Sequence, residues 1–323
     1  MIFSWQTNQW QTLWQSYQQQ RLPHALLLVG MSGIGKKQFA IAFAKTMLCR
    51  KPNIDGQPCG QCHPCHLTRA NTHPDLVMVE PEEAGQLIKI DQIRHVIQLA
   101  NETPQQGGYK VIIISPANAM NKASANALLK TLEEPAPNTL LILTTDQSVR
   151  LPATVMSRCQ KILFQKPTRD VALQWLISQD ISSPDLLLDL AEGAPLKAKE
   201  FLDNNIATLR NDFYQGLVAL SKNQADPLQL AAQWYEEDTR LLLTLLLNWL
   251  RDLLRVKLVN ADVELINTDY RAFFSTVKLS NKNLLKLIDK VQQTYARIIN
   301  SLNLNKQLLL EELLIRWVQY GSS

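Results

Sequence analysis

Two groups of residues in the 323-residue chain have the types and spacing to do chemistry. The first is GMSGIGKKQFA, residues 30–40, which holds Gly30, Gly33, Gly35 and then Lys36. Glycines between a strand and a helix let backbone N–H groups surround phosphate oxygens, and the helix N-terminus adds positive potential. A lysine in this place reaches the β- and γ-phosphates, and a hydroxyl residue after it ligates magnesium. Here Lys37 replaces the hydroxyl residue. An ammonium does not ligate Mg2+ and repels it, so no magnesium site is expected. The loop reads either as a retained backbone shape or as a site that binds phosphate or nucleotide without turnover.

Hydrolysis also needs carboxylates at the end of a neighbouring strand, one for the metal's water shell and one to activate the attacking water. The candidate strand lies in KVIIISPANAM, residues 110–120. Ser115 and Pro116 stand where the acids belong, and neither acts as a base. Glu133 and Glu134 follow at a helix stop before Pro135 and read as surface charges. Two separate losses of metal chemistry argue against ATP hydrolysis by this chain.

The second group is Cys49, Cys59, Cys62 and Cys65, spaced C-x9-C-x2-C-x2-C. Two-residue gaps let neighbouring thiolates turn back onto one ion, and four thiolates close a tetrahedral Zn2+ site with no open position. Such a site is structural. His63 and His66 lie in or beside the cluster and have the chemistry to replace a cysteine, but they read rather as solvated loop residues. An iron–sulfur cluster and free thiols are the competing readings. Arg50, Lys51 and Arg69 are the cations nearby, too few for a phosphate-binding stripe, which argues against a zinc-dependent nucleic-acid module.

The elements that must hold these residues are legible as short apolar runs. ALLLV (25–29), LVMV (76–79), VIIIS (111–115), LLILT (140–144) and KILF (161–164) read as buried strands, with helical periodicity between them. Continuous apolar strands alternating with helices predict an α/β domain with a parallel sheet covered on both faces. Before it, the glutamine-rich WQTNQWQTLWQSYQQQ places Trp10, Leu13, Trp14 and Tyr17 on one face of an amphipathic helix. Near Pro167 the strands stop. A small helical domain is expected at 167–207 and a larger one at 208–323, with breaks at ISSP, EGAP and Asn204–Asn205.

Composition sets the outer limits. The chain is 46% hydrophobic, enough for two or three domains with cores of their own. The formal net charge of +4 permits nucleic-acid contact without arguing for it. The N-terminus lacks a signal-peptide pattern, and the most apolar run, Leu241 to Leu254, is interrupted by Asn248, Arg251 and Asp252. No membrane span is expected, and a cytoplasmic location is. In that compartment clustered cysteines point to metal before disulfides.

The order of motifs carries a resemblance. RLPHALLLVG leads into the phosphate loop, followed by the insertion ending CGQCHPC, then THPDLVMVEPE, IDQIRHVIQLAN, NALLKTLEEP and LPATVMSRC. Over about residues 20–200 this resembles the bacterial clamp-loader ATPase family. The resemblance implies an α/β AAA+ P-loop domain (1–166) with a five-stranded parallel sheet and the zinc module at about 49–65. It further implies a three-helix lid (167–207) and a helical collar (208–323) that joins a pentameric ring. The implied partners are the ATP-hydrolysing tau/gamma subunits and the clamp-opening delta subunit, and through them the sliding clamp and primed DNA.

In the family the SRC arginine, here Arg158, enters a neighbour's ATP site and neutralises charge on the γ-phosphate. A surface salt bridge is its alternative role, and Cys159 is expected to pack at the start of the last strand. Active relatives carry a nucleotide-sensing arginine in the lid. Here GAPLKA puts Leu196 there, with Lys197 adjacent. Thr144 and Thr145 match a polar sensor or serve as a strand cap. The implied role is a subunit that does not hydrolyse ATP but completes a partner's site; the alternative is an autonomous ATPase of the motor type.

Overall fold

The structure, a computed structural model, describes residues 2–83, 86–146, 151–181, 183–203, 206–259, 263, 265–300 and 304–321. Five strands form one sheet: β1 (Ala25–Val29), β2 (Leu76–Val79), β3 (Lys110–Ile114), β4 (Thr139–Thr145) and β5 (Gln160–Leu163). Their order is β2-β3-β4-β1-β5, and every pair runs parallel. Each strand lies within a residue or two of its expected run. Parallel strands buried on both faces need no polar alternation, and β1, β3 and β4 show none.

The helices of the sheet unit are α1 (Thr7–Gln18), α2 (Lys36–Leu48), α3 (His63–Arg69), α4 (Ile90–Ala100), α5 (Lys122–Glu133) and α6 (Ala153–Met156). Along each central strand successive side chains take opposite faces. Leu27, Ile112, Ile114, Leu141 and Leu143 share a core with Ile93 and Val96 of α4 and Leu128 and Leu132 of α5. α2 packs against β3 and β4. The glutamine-rich tract is helical as expected: Trp10, Leu13 and Trp14 are buried, and Trp10 meets Phe39 and Phe43 of α2 edge-on at 5.6 and 5.7 Å.

The chain forms two compact units, Met1–Trp175 with Ala194–Lys197, and Leu176–Gly193 with Ala198–Ser323. From Pro167 onward every described element is helical: α7 (Arg169–Ile177), α8 (Pro184–Leu190), α9 (Pro195–Asp203), α10 (Ile206–Ser221), α11 (Pro227–Trp234), α12 (Thr239–Leu258), α13 (Arg271–Thr276), α14 (Asn281–Asn300) and α15 (Lys306–Gly321), with a short 3-10 turn at Thr268–Tyr270. The expected break at Asn204–Asn205 lies outside the described residues, as do Ser182 of ISSP and Asn303.

The apolar run 241–254 falls inside α12, and no described helix is long and apolar enough to cross a membrane. Two of the polar residues that interrupt it, Asn248 and Asp252, are themselves buried. Asp252 accepts from the backbone N–H and side-chain amide of Asn267, at 2.7 and 2.9 Å. Asn267 in turn accepts from Arg210, whose guanidinium grips Asp269 through both terminal nitrogens at 3.0 and 2.7 Å. A buried ionic group of this kind is tolerated because its hydrogen-bonding capacity is met.

Gly216 of α10 has the ring of Trp234 where a β-carbon would stand, 2.5 and 2.7 Å from the nearest ring atoms. Alanine there would gain ~1 kcal/mol of helix propensity. It would also force a buried indole that packs 4.7 Å from the Phe213 ring. Overpacking of this kind costs about 1–3 kcal/mol. Gly216→Ala is therefore expected to lower the midpoint of thermal unfolding, measured by circular dichroism.

Candidate functional site

The strand register brings the chemistry-bearing loops together. Val29 pairs with Thr145, and Ile114 with Leu143. The segments after β1, β3 and β4 therefore leave the same edge of the sheet, where open α/β sheets place their ligand sites. This edge carries the glycine loop, Ser115–Pro116, and Thr144 to Asp146. Gly33 and Gly35 hold φ of 76° and 89°, values in the left-handed region that glycine adopts without strain. Gly35 caps α2, whose first residue is Lys36.

The loop thus keeps the strand–turn–helix form expected of it, but its lysine is occupied from within the chain. Lys36 is buried, and its ammonium donates to the Met31 carbonyl and to Asp146 Oδ1, both at 2.6 Å. Burial lowers the pKa of Lys36, and the Asp146 carboxylate opposes that shift. Asp146 is held in turn by Asn118, whose amide oxygen accepts from the Asp146 N–H at 3.3 Å and the Thr145 hydroxyl at 3.1 Å. Lys37, in the magnesium ligand's place, pairs with Glu80 at 2.5 Å. Thr144, read as a polar sensor or a strand cap, donates to the Ser115 hydroxyl at 2.8 Å.

Two further segments close on the loop. Leu196 N–H donates to the Gly33 carbonyl at 3.0 Å, and the Lys197 β-carbon lies 2.6 Å from where a Gly33 β-carbon would be. From the N-terminus, the Trp5 indole donates to the Ile34 carbonyl, and the Gln6 amide donates to the carbonyls of Ile34 and Gly35. The Phe3 ring sits against Gly35, stacks on Trp5 at 4.7 Å and meets Trp175 edge-on at 5.6 Å.

The four cysteines converge. Their sulfur atoms all lie within 4.8 Å of one another, with Cys49–Cys62 and Cys59–Cys65 at 3.9 Å. A tetrahedral Zn2+ with Zn–S near 2.3 Å sets its sulfurs about 3.8 Å apart, so the donor set fits zinc. Backbone N–H groups of Cys59 and Cys62 donate to the sulfurs of Cys49 and Cys59, the outer support that tunes a thiolate ligand. N–H groups of Gln61 and Cys62 bring the Cys59 thiol down to about 6, whereas burial pushes Cys65 up to about 12. A dication would offset the cost of ionising the buried members. His63 and His66 sit exposed on α3 rather than in a loop, and neither joins the cluster.

The cysteine loop is fastened to the sheet unit by three side chains. The Trp10 and Trp14 indoles donate to the carbonyls of Asp55 and Ile54, and the Thr46 hydroxyl donates to Gly56. Arg158 follows α6 near the surface. Its guanidinium pairs with Glu133 at 2.6 Å and donates to the Thr154 carbonyl at 2.9 Å. Cys159 is buried before β5, and burial pushes its thiol up to about 11.

A family model described as DNA polymerase III, delta subunit, matches residues 5–168, and one for the C-terminal part of that subunit matches residues 205–319. DNA polymerase III subunit delta' of Pseudomonas aeruginosa is 36% identical over 98% of this chain and 97% of its own length. The chain belongs to the DNA polymerase III delta-prime subunit family. The Escherichia coli delta-prime subunit is 31% identical over 98% of this chain and 96% of its own. A DNA polymerase III gamma subunit-related protein of Thermotoga maritima aligns over 96% of this chain and 99% of that chain at 18% identity, with a TM-score of 0.46. By its family the chain is a clamp-loader protein of DNA replication.

Within this delta-prime family member, sequence reasoning missed Asp146, Asn118, Glu80 and the Phe3–Trp5–Gln6 segment. A signal existed for Asp146: it is an acid directly after the strand that pairs with β1. The others are brought to the loop only by tertiary structure.

Proposed function

We propose that the chain serves the clamp loader as a subunit that lends catalysis instead of performing it. In this reading residues 1–166 are a closed AAA+ module, 167–207 a lid, and 208–323 a collar that joins a pentameric ring. Arg158 is supplied to the ATP site of a neighbouring tau/gamma subunit. Delta is a further partner, and the product is a sliding clamp placed on primed DNA.

The observation that carries this reading is the internal pairing of Lys36. A nucleotide phosphate would have to displace Asp146, 2.6 Å from the ammonium, or accept a carboxylate beside it. Without a metal-ligating hydroxyl at position 37 or acids at 115–116, no bound magnesium would neutralise that charge. Hydrolysis by this chain is thus opposed at three points of the same sheet edge. The guanidinium of Arg158, by contrast, is partly accessible, as a group given to a partner must be.

The test compares the purified chain, the motor subunits alone, and the reconstituted complex. The chain alone is expected to show no magnesium-dependent ATP turnover, and its addition is expected to raise the DNA-stimulated turnover of the motor subunits. Turnover by the chain alone that disappears in Lys36→Ala would establish the autonomous ATPase instead.

A further inference from the structure

We propose that Glu133 is a positioning residue for Arg158, an inference that rests on the finger role given above. The two residues come from different elements. Glu133 ends α5, and Arg158 follows α6, so only the fold brings them together. Arg158 Nη2 donates to Glu133 Oε1 at 2.6 Å, while Nη1 donates to the Thr154 carbonyl at 2.9 Å and to the Ser157 hydroxyl at 3.4 Å. Both terminal nitrogens are held, and the guanidinium plane is set by contacts on two sides. The carbonyl end of α5 adds negative potential at the same place.

The alternative role for such a pair is a latch that withholds the arginine, and magnitudes decide between them. The Arg158 and Glu133 side chains are 34% and 49% exposed, so the pair is solvated. A pair of that kind is worth about 0–1 kcal/mol, which restrains engagement by about fivefold at most. A free arginine side chain gives up rotamer freedom when it seats on a phosphate. Glu133 meets part of that cost in advance by keeping its hold on Nη2 while Nη1 turns to the phosphate. Ordering outweighs withholding.

The test uses the reconstituted complex with Glu133→Ala, Glu133→Gln, Arg158→Ala and the double variant. DNA-stimulated ATPase is read as kcat and KM for ATP, and assembly is read by size exclusion. Glu133→Ala is expected to lower kcat about threefold to fivefold with KM and assembly unchanged. Glu133→Gln, which keeps an acceptor oxygen, is expected to fall between it and the parent. The double variant is expected to match Arg158→Ala. A kcat unchanged or raised in Glu133→Ala, while Arg158→Ala is impaired, overturns the positioning role alone. A further drop on the Arg158→Ala background shows that Glu133 acts through the fold and also overturns it. A normal kcat in Arg158→Ala removes the finger and this inference together.

Discussion

Replacing Arg158 by alanine is expected to leave the complex assembled and to cut its DNA-stimulated ATP turnover. At the site that this arginine is proposed to complete, the loss is expected to be on the order of 10^3-fold, the scale on which a guanidinium stabilises charge on a transferring phosphoryl group. Turnover that remains comes from sites that Arg158 does not reach. Nothing in the chain's own fold depends on the residue: its bonds are to a surface carboxylate, a carbonyl and a hydroxyl. Stability should therefore change by less than about 1 kcal/mol. Arg158→Lys sharpens the test. Lysine keeps the charge but lacks the planar fork, so it is expected to restore little activity. Size exclusion with the motor subunits checks assembly, and a steady-state ATPase assay with and without primed DNA checks turnover.

The largest effect on stability is expected at the cysteines. Cys59→Ser removes one of four converging sulfurs at a half-exposed position. The parent chain should carry one zinc and the variant none, measured by elemental analysis after gel filtration. Loss of the ion leaves three crowded thiols and frees the loop that Trp10, Trp14 and Thr46 hold. A destabilisation of a few kcal/mol is expected, or about 10 °C in the melting of a unit this size. Because both indoles bond to that loop and are nearly buried, their emission should move to longer wavelength as the metal leaves. A strong chelator should reproduce the shift in the parent. Cys159→Ala, outside the cluster, should retain zinc.

The parallel sheet could be read almost residue for residue because strands buried on both faces are continuous apolar runs, from ALLLV in β1 to TLLILTT in β4. The cysteine cluster was legible for another reason: ligand spacing is a local property of the chain. What stayed hidden were contacts between residues far apart. Lys36 and Asp146 are 110 positions apart, and the register of β1 with β4 joins them. The Phe3, Trp5 and Gln6 contacts were hidden because a glutamine-rich helix carries no sign of the loop it meets. Arg158 could be singled out by its motif, but its partner Glu133 read as one of two unremarkable charges at a helix end.

The Lys36–Asp146 pair also constrains what the lineage of this chain can become. Restoring a hydroxyl at position 37 alone leaves Glu80 without its cation and gains no metal, since 115–116 still lack acids. An acid at 115 alone puts a carboxylate beside the buried Thr144 hydroxyl without a hydroxyl ligand at 37 to share a metal. Removing Asp146 alone strands a buried ammonium. On the proposed reading, none of these single changes completes a metal site. On that reading, a loop held by internal charge pairing does not regain hydrolysis through any one substitution.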